Sequence, residues 1–280
     1  MKTYHVLYNP NAGNGTGGLQ AKELKETLGE IAFADMTKID DYAQFFNGIK
    51  SEDEVVVCGG DGTLNRFVNA IGEAAQTHAL SYYACGSGND FMREVQPDGE
   101  RKIVALNDYI QNLPTLTVNG KTYRFINGIG FGIDGYCCEE GDKLRVATDK
   151  PINYTGIAIK GLLFHYKPTN ATVVVDGKEY RFKKVWLAPT MNGKYYGGGM
   201  IPTPEQKRTD DTLSVMLFHG TGKLKSLMIF PSIFKGEHVK KKKHITVLSG
   251  KEITVKFDSP RALQIDGETI SGVTEYRARK

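Results

Sequence analysis

Residues 54–68 read Glu54-Val55-Val56-Val57-Cys58-Gly59-Gly60-Asp61-Gly62-Thr63-Leu64-Asn65-Arg66-Phe67-Val68. The apolar run Val55–Cys58 shows no alternation, which predicts a strand buried on both faces, as in a parallel sheet. Helical spacing takes over near Leu64 and predicts a helix to about Ala75, with three glycines at the join. Glycine lets a backbone approach a ligand closely, and the free N–H groups of a helix start converge with its dipole on an anion. An acid such as Asp61 amid phosphate-cradling glycines makes sense once a cation such as Mg²⁺ is bound too. The segment Cys58–Asn65 is therefore read as a triphosphate loop, with Thr63 and Asn65 supplying short-range hydrogen bonds.

Outward from this loop the same texture repeats. Tyr4–Tyr8 predicts a strand followed by a Gly-rich turn and a helix over about Leu19–Leu28; Ile31–Phe33 and Ser81–Cys85 predict further strands, and Ala43–Ile49 a helix. Strand and helix in alternation, with glycine at strand exits, is the pattern of an α/β domain with a parallel sheet. Near Pro114 the pattern changes. Asn119-Gly120 and Asp176-Gly177 each separate two short strand-like runs, the signature of hairpins, and more strands follow at Leu213–Phe218, Ile245–Leu248, Ile253–Phe257 and Ala262–Ile265. One helix, about Asn153–Tyr166, interrupts them. The expectation is two domains: an α/β unit over 1–113, and a β-rich, antiparallel, sandwich-like unit over 114–270.

Composition narrows the class. With 40% hydrophobic and 24% charged residues a sizeable core is available. A net charge of +4 is too small to argue for nucleic acid, although Lys240–Lys243 form a run that can attract an anionic surface. Cys58, Cys85, Cys137 and Cys138 show neither metal-ligand spacing nor a secreted disulfide framework, which fits a reduced, cytoplasmic compartment. No segment approaches the roughly 18 apolar residues of a membrane span; Lys160 breaks Gly156–Phe164 and Pro231 breaks Leu227–Phe234. A lipid substrate would have to be met at the membrane surface, from water.

Two rival motifs need weighing. Gly13-Asn14-Gly15-Thr16-Gly17-Gly18 satisfies the dinucleotide fingerprint after a strand, with Asp35 near the offset of a ribose-binding acid. It supports a phosphate-bearing ligand more firmly than NAD, because any glycine turn at a helix start can bind phosphate. Gly120-Lys121-Thr122 looks like the end of a P-loop, but Thr115 stands where the first Gly is required.

Five segments carry a resemblance. Gly59-Gly60-Asp61-Gly62-Thr63 resembles the GGDGT signature of the diacylglycerol, sphingosine and NAD kinases and of phosphofructokinases. Asn9-Pro10-Asn11-Ala12-Gly13, Gly86-Ser87-Gly88-Asn89-Asp90-Phe91, Phe125-Ile126-Asn127 with Gly132, and Asp266-Gly267-Glu268 resemble elements of the diacylglycerol and sphingosine kinase branch, in family order. The resemblance implies a bacterial lipid kinase that moves the γ-phosphate of ATP, with Mg²⁺, to a lipid hydroxyl, diacylglycerol being the default acceptor, at the inner membrane face. A homodimer is compatible with it. It implies ATP contacts at Asn9, Pro10, Asn11, Ala12, Gly13, Thr37, Gly59, Gly60, Asp61, Gly62, Thr63, Asn65 and Ser87. It implies an acidic centre of Asp61, Asp90, Asp266 and Glu268, with Asp266 slightly favoured over Glu268 as the base and Asp134 a further candidate. It also implies that the last residues, about 271–280, return to the first domain. A structural Mg²⁺ at Asp211 and the carbonyl of Leu213 is implied as well, although Thr212 replaces the usual Gly and resists its positive φ. Arg66 replaces a usual Glu, and Pro202-Thr203-Pro204 departs from P-x-A. The alternatives left open are a kinase of a soluble metabolite such as NAD and a catalytically silent nucleotide-binding protein.

Overall fold

In the computed structural model, which describes residues 2–10, 12, 17–72, 78–86, 88–99, 103–147 and 152–280, the chain divides into two units, Met1–Leu113 and Pro114–Lys280. The first is built on five strands: β1 (Thr3–Tyr8), β2 (Glu30–Asp35), β3 (Glu54–Gly59), β4 (Ala79–Ala84) and β5 (Ile103–Ala105). They lie in the order β2-β1-β3-β4-β5, the first three pairings parallel and β4–β5 antiparallel. Val55, Val56, Val57 and Cys58 are fully buried, as an unalternating apolar strand should be in the middle of such a sheet. Helices α1 (Gly17–Glu23), α2 (Tyr42–Asn47), α3 (Asp61–Ala70), α4 (Asp90–Val95) and α5 (Asn107–Ile110) complete the unit. Ala21 and Leu24 pack on Val6, Val56 and Tyr83.

The second unit is a curled sheet of ten strands: β6 (Thr115–Val118), β7 (Lys121–Arg124), β8 (Gly128–Phe131), β9 (Thr169–Val175), β10 (Lys178–Leu187), β11 (Thr190–Met191), β12 (Leu213–His219), β13 (Ile245–Gly250), β14 (Glu252–Ile265) and β15 (Glu268–Arg279). Strand β14 pairs with β9 through Ile253–Phe257 and with β8 through Leu263–Ile265, so β14-β8-β11-β12-β10-β9 closes on itself as a barrel. The register of β14 against β15 shifts between Lys256 and Arg261, around Pro260; such bulges bend a strand and let it serve two sides of a barrel. Phe131 and Phe257 stack in its core with centroids 4.1 Å apart, and the Tyr276 hydroxyl is hydrogen-bonded to Thr190 Oγ1 at 2.7 Å. Both expected hairpin turns form, with Asn119, Gly120, Asp176 and Gly177 all at positive φ.

Three helices flank the barrel: α6 (Ile133–Ala147), α7 (Tyr154–Lys160) and α8 (Lys223–Ile229). Sequence patterning misses α6, because Gly135 and Gly141 interrupt it. Gly135 is there for packing: a Cβ would collide with the carbonyl of Ala262 on β14. The expected return of residues 271–280 to the first unit is corrected. They form the greater part of β15, which lies between β14 and β6 in the second unit, Arg277–Arg279 pairing with Thr115–Thr117. Burial of Val273, Tyr276 and Ala278 in the barrel core holds them there.

Candidate active site

The parallel register sets where the loops of the first unit emerge. Tyr8 stands beside Asp35 and Cys58, Cys58 beside Tyr83, and Gly59 beside Ala84, so β1 to β4 end along one carboxyl edge. The chain leaves β1 to one side for β2 and later to the other for β3 and β4. The crevice between β1 and β3 is thus the topological switch point at which open α/β sheets bind ligands. Asn9 and Pro10 follow β1 there, and Gly59–Thr63 follows β3.

Glycine at these turns answers to close approach. Gly60 caps α3 without any side-chain bond to its first-turn amides. A Cβ on Gly86 would collide with the Cα of Gly60, and one on Gly59 would lie 2.5 Å from Cβ of Thr63. The turns after β3 and β4 therefore run backbone against backbone, pinned by Cys85 N–H donating to the Gly59 carbonyl at 2.9 Å. Asn89, in the left-handed region at φ 51°, ties off the second turn by bonding both N–H and carbonyl of Gly86 at 2.9 and 2.7 Å. Asp61 links the two turns: its carboxylate accepts the backbone N–H groups of Asp90 and Phe91, each at 3.0 Å, capping α4. Asp90, Thr63, Asn65 and Asn9 are buried nearby in the same unit.

The remaining expected nucleotide contacts divide. Asn9 accepts from Ala12 N–H at 3.0 Å, and its carbonyl occupies the space beside Gly17 that any side chain would need. Thr37 lies just beyond β2, where its hydroxyl donates to Asp35 at 2.7 Å; that bond holds the Asp35 carboxyl below its ordinary value. Asn11, Gly13 and Ser87 lie outside the described residues. Asp61 and Asp90, two carboxylates at neighbouring helix starts, suit Mg²⁺, which takes one or two carboxylates and completes its shell from phosphate and water.

In the second unit Asp266 and Glu268 flank Gly267 in a type I′ turn, with φ 47° at Asp266 and 98° at Gly267. They are not equivalent. The Asp266 carboxylate is buried and accepts three backbone amides, from Ile126 at 2.6 Å, Asn127 at 2.8 Å and Gly128 at 2.9 Å. The Asp266 carboxylate thus holds the segment leading into β8, whereas Glu268 is half-buried at the start of β15.

That clamped segment organises groups that local sequence reading does not single out. Arg208 donates to the Ile126 carbonyl and, at 2.8 Å, to Asn127 Oδ1. Asn192 donates to the Ile126 carbonyl at 2.8 Å, and Lys280 Nζ donates to Asn192 Oδ1 at 2.6 Å. Arg208 lies 82 residues from its partner, so nothing in its own neighbourhood signals the contact. Two cations thus sit among the amides and acids that the resemblance marks. Asp134, at the start of α6, is buried over Gly130, where any side chain would displace its carboxylate. Burial pushes its carboxyl up to about 6, against the opposing pull of the Gly135 N–H at 2.9 Å and the Tyr196 hydroxyl at 3.2 Å. A buried acid tuned toward neutrality is suited to proton transfer.

The expected structural metal position does not fit. Asp211 is 80% exposed and forms an ion pair with Lys251 Nζ at 3.0 Å, so an ammonium stands where a cation would be needed. Leu213 is buried within β12, and no group of three His, Cys, Asp or Glu with metal-binding geometry occurs among the described residues.

Residues 3–116 match the family model described as the diacylglycerol kinase catalytic domain, and residues 127–277 match that of the YegS C-terminal NAD kinase beta sandwich-like domain. The chain belongs to the diacylglycerol-kinase-like lipid kinase family. It is 30% identical over 199 residues to a diacylglycerol kinase of Mycobacterium tuberculosis, covering 68% of this chain and 62% of the relative's length. It is 22% identical over 281 residues to a diacylglycerol kinase of Bacillus subtilis, covering 96% of this chain and 90% of the other. A solved structure from Bacillus anthracis str. Sterne superimposes with a TM-score of 0.68 at 20% identity, covering 99% of this chain and 91% of that one; at such identity the likeness speaks for the fold alone.

Proposed function

We propose that the chain transfers the γ-phosphate of ATP to the hydroxyl of a diacylglycerol. The observation that carries this reading is the contact of the Gly60 and Gly86 turns, locked by Asp61, at the carboxyl edge of the parallel sheet. Bare backbone at a helix start receives phosphate, and the switch point receives the rest of the nucleotide. Asp61 and Asp90 would hold Mg²⁺, which neutralises phosphate charge when bound. Phosphoryl transfer then requires positioning and a group that accepts the hydroxyl proton. Among the acids of the second unit Glu268 is our candidate for that role, and Asp266 fixes the turn that carries it. The M. tuberculosis and B. subtilis relatives, both named diacylglycerol kinases, favour diacylglycerol as the acceptor.

Labelled ATP offered to the full chain with diacylglycerol vesicles, and separately with NAD, tests the reading. Label in phosphatidic acid that disappears in Asp61→Ala supports it. Label in NAD alone moves the chain to the metabolite kinases, and ATP binding with transfer to neither makes it a silent nucleotide binder.

A further inference from the structure

The connection from β11 to β12 ends in a loop, residues 203–212, that one side chain closes on itself. Gln206 is only 4% exposed. Its Nε2 donates to the Lys207 carbonyl at 2.9 Å and to the Thr212 carbonyl at 3.0 Å. A primary amide nitrogen has two N–H groups, so both are spent on carbonyls that turn inward from the two ends of 207–212. The neighbouring acid fixes the backbone around them. Asp210 Oδ2 accepts the Lys207 N–H at 3.0 Å, and the Asp210 N–H donates back to the Lys207 carbonyl at 3.0 Å. An acid beside two inward-facing carbonyls is the kind of donor set that a hard divalent cation takes, and the resemblance implies a structural Mg²⁺ in this stretch.

Distance decides what fills the position. Mg²⁺ draws oxygen to about 2.0–2.1 Å and Ca²⁺ to about 2.3–2.6 Å, whereas an N–H···O bond settles at about 2.9–3.0 Å. The two carbonyls are therefore spaced for an amide. Charge points the same way, because the acids of the loop are already answered. Asp210 holds the Lys207 amide, Asp211 is paired with Lys251, and Glu205 is exposed to solvent. Two cations also reach the loop itself: Arg208 spans from it to the Ile126 carbonyl and Asn127 Oδ1, and Lys280 Nζ donates to the Arg208 carbonyl at 3.2 Å. We propose that the Gln206 amide takes, in this chain, the place of a structural divalent cation, so that the loop keeps its shape without metal and holds Arg208 against Ile126 and Asn127. This role is separate from any Mg²⁺ that arrives with nucleotide, and it holds whatever the chain phosphorylates.

The test is scanning calorimetry of the full chain, free of nucleotide, in a chelator, in Mg²⁺ and in Ca²⁺, for the parent, Gln206→Met and Gln206→Glu. The parent should melt at one temperature in all three solutions. Gln206→Met keeps the length of the side chain and loses both donors, so it should melt about 2–10 °C lower in every solution. Gln206→Glu sets a carboxylate against two carbonyls. It should melt lower still in chelator and regain most of that loss with Mg²⁺ or Ca²⁺, because it completes an oxygen set that a cation can occupy. The parent's indifference to chelator needs no variant, so a variant that fails to fold does not remove the test. A parent that melts lower in chelator and recovers with Mg²⁺, by an amount that Asp61→Ala does not remove, overturns the proposal by showing a metal in the fold. Parent-like melting of Gln206→Met overturns it too, as does a Gln206→Glu whose melting ignores both ions. None of these readings uses ATP or an acceptor, so failure of the kinase reading would leave them unchanged.

Discussion

Replacing Asp266 by Asn separates the two roles that the turn between β14 and β15 can play. Asn tolerates the left-handed conformation as Asp does, so the φ of 47° is kept and only hydrogen bonding changes. The oxygen that accepts Asn127 and Gly128 can remain, but an NH₂ group would oppose the N–H of Ile126 at what is now a 2.6 Å bond. A hydrogen bond to a charged group contributes about 1.5–3 kcal/mol and a neutral one about 0.5–1.5. One bond lost and two weakened therefore amount to about 3–5 kcal/mol. At about 2–4 °C per kcal/mol for a unit of this size, the melting temperature should fall by about 6–20 °C in scanning calorimetry of the full chain. Glu268→Gln should leave melting within about 1 °C of the parent while turnover with labelled ATP drops by about 10²-fold or more. Asp266→Asn that melts like the parent yet loses turnover to that degree would refute the clamp and return the role of base to Asp266.

Three further outcomes follow from the site. Asp134 binds its proton more tightly folded, near pH 6, than unfolded, near its ordinary 3.8. The folded state is therefore favoured at low pH and loses up to about 3 kcal/mol as pH rises from 4 through 6; calorimetry across pH 4–8 should show Asp134→Asn gaining on the parent as pH rises and levelling off above about 6, and a pH-independent difference contradicts the assignment. Gly86→Ala should destabilise the first unit by about 1–3 kcal/mol and lower the affinity for a fluorescent ATP analogue, because its Cβ meets the Gly60 backbone; parent-like melting and affinity would argue against the packed turns. Asp211→Ala should change neither the melting temperature by more than about 1 °C nor the Mg²⁺ concentration needed for half-maximal turnover, and a raised Mg²⁺ requirement would restore the metal site.

Much of the first unit is legible because its signals are local. Val55–Cys58 declares a buried strand by composition alone, and the glycines after it declare a close approach, although their actual contact is with a second turn some 26 residues on. Two elements of the second unit escape for opposite reasons. Helix α6 is hidden by glycines that tertiary packing demands, and β15 by exposed polar residues, since only Val273, Tyr276 and Ala278 among its last seven residues face the core. The D-G-E turn shows a third limit. Its hairpin character and its acids are both readable, but the three amides that occupy Asp266 belong to residues about 139 positions away, and backbone donors leave no mark on side-chain identity.

The position of Asp61 explains why an acid stands in a loop meant for phosphate. A Ser or Thr at that point could cap α4 with one oxygen; a carboxylate accepts the amides of Asp90 and Phe91 with separate oxygens and so fixes the turn after β4 relative to the turn after β3. The negative charge that this adds beside a phosphate is unfavourable by itself and becomes favourable once Mg²⁺ lies between them. On the proposed reading one side chain both shapes the glycine cradle and would make its occupation by nucleotide depend on the metal. The Asp61→Ala variant should on this argument lose both the geometry of the Gly86 turn and the Mg²⁺ dependence of ATP binding, whereas a residue serving the metal alone would lose only the second.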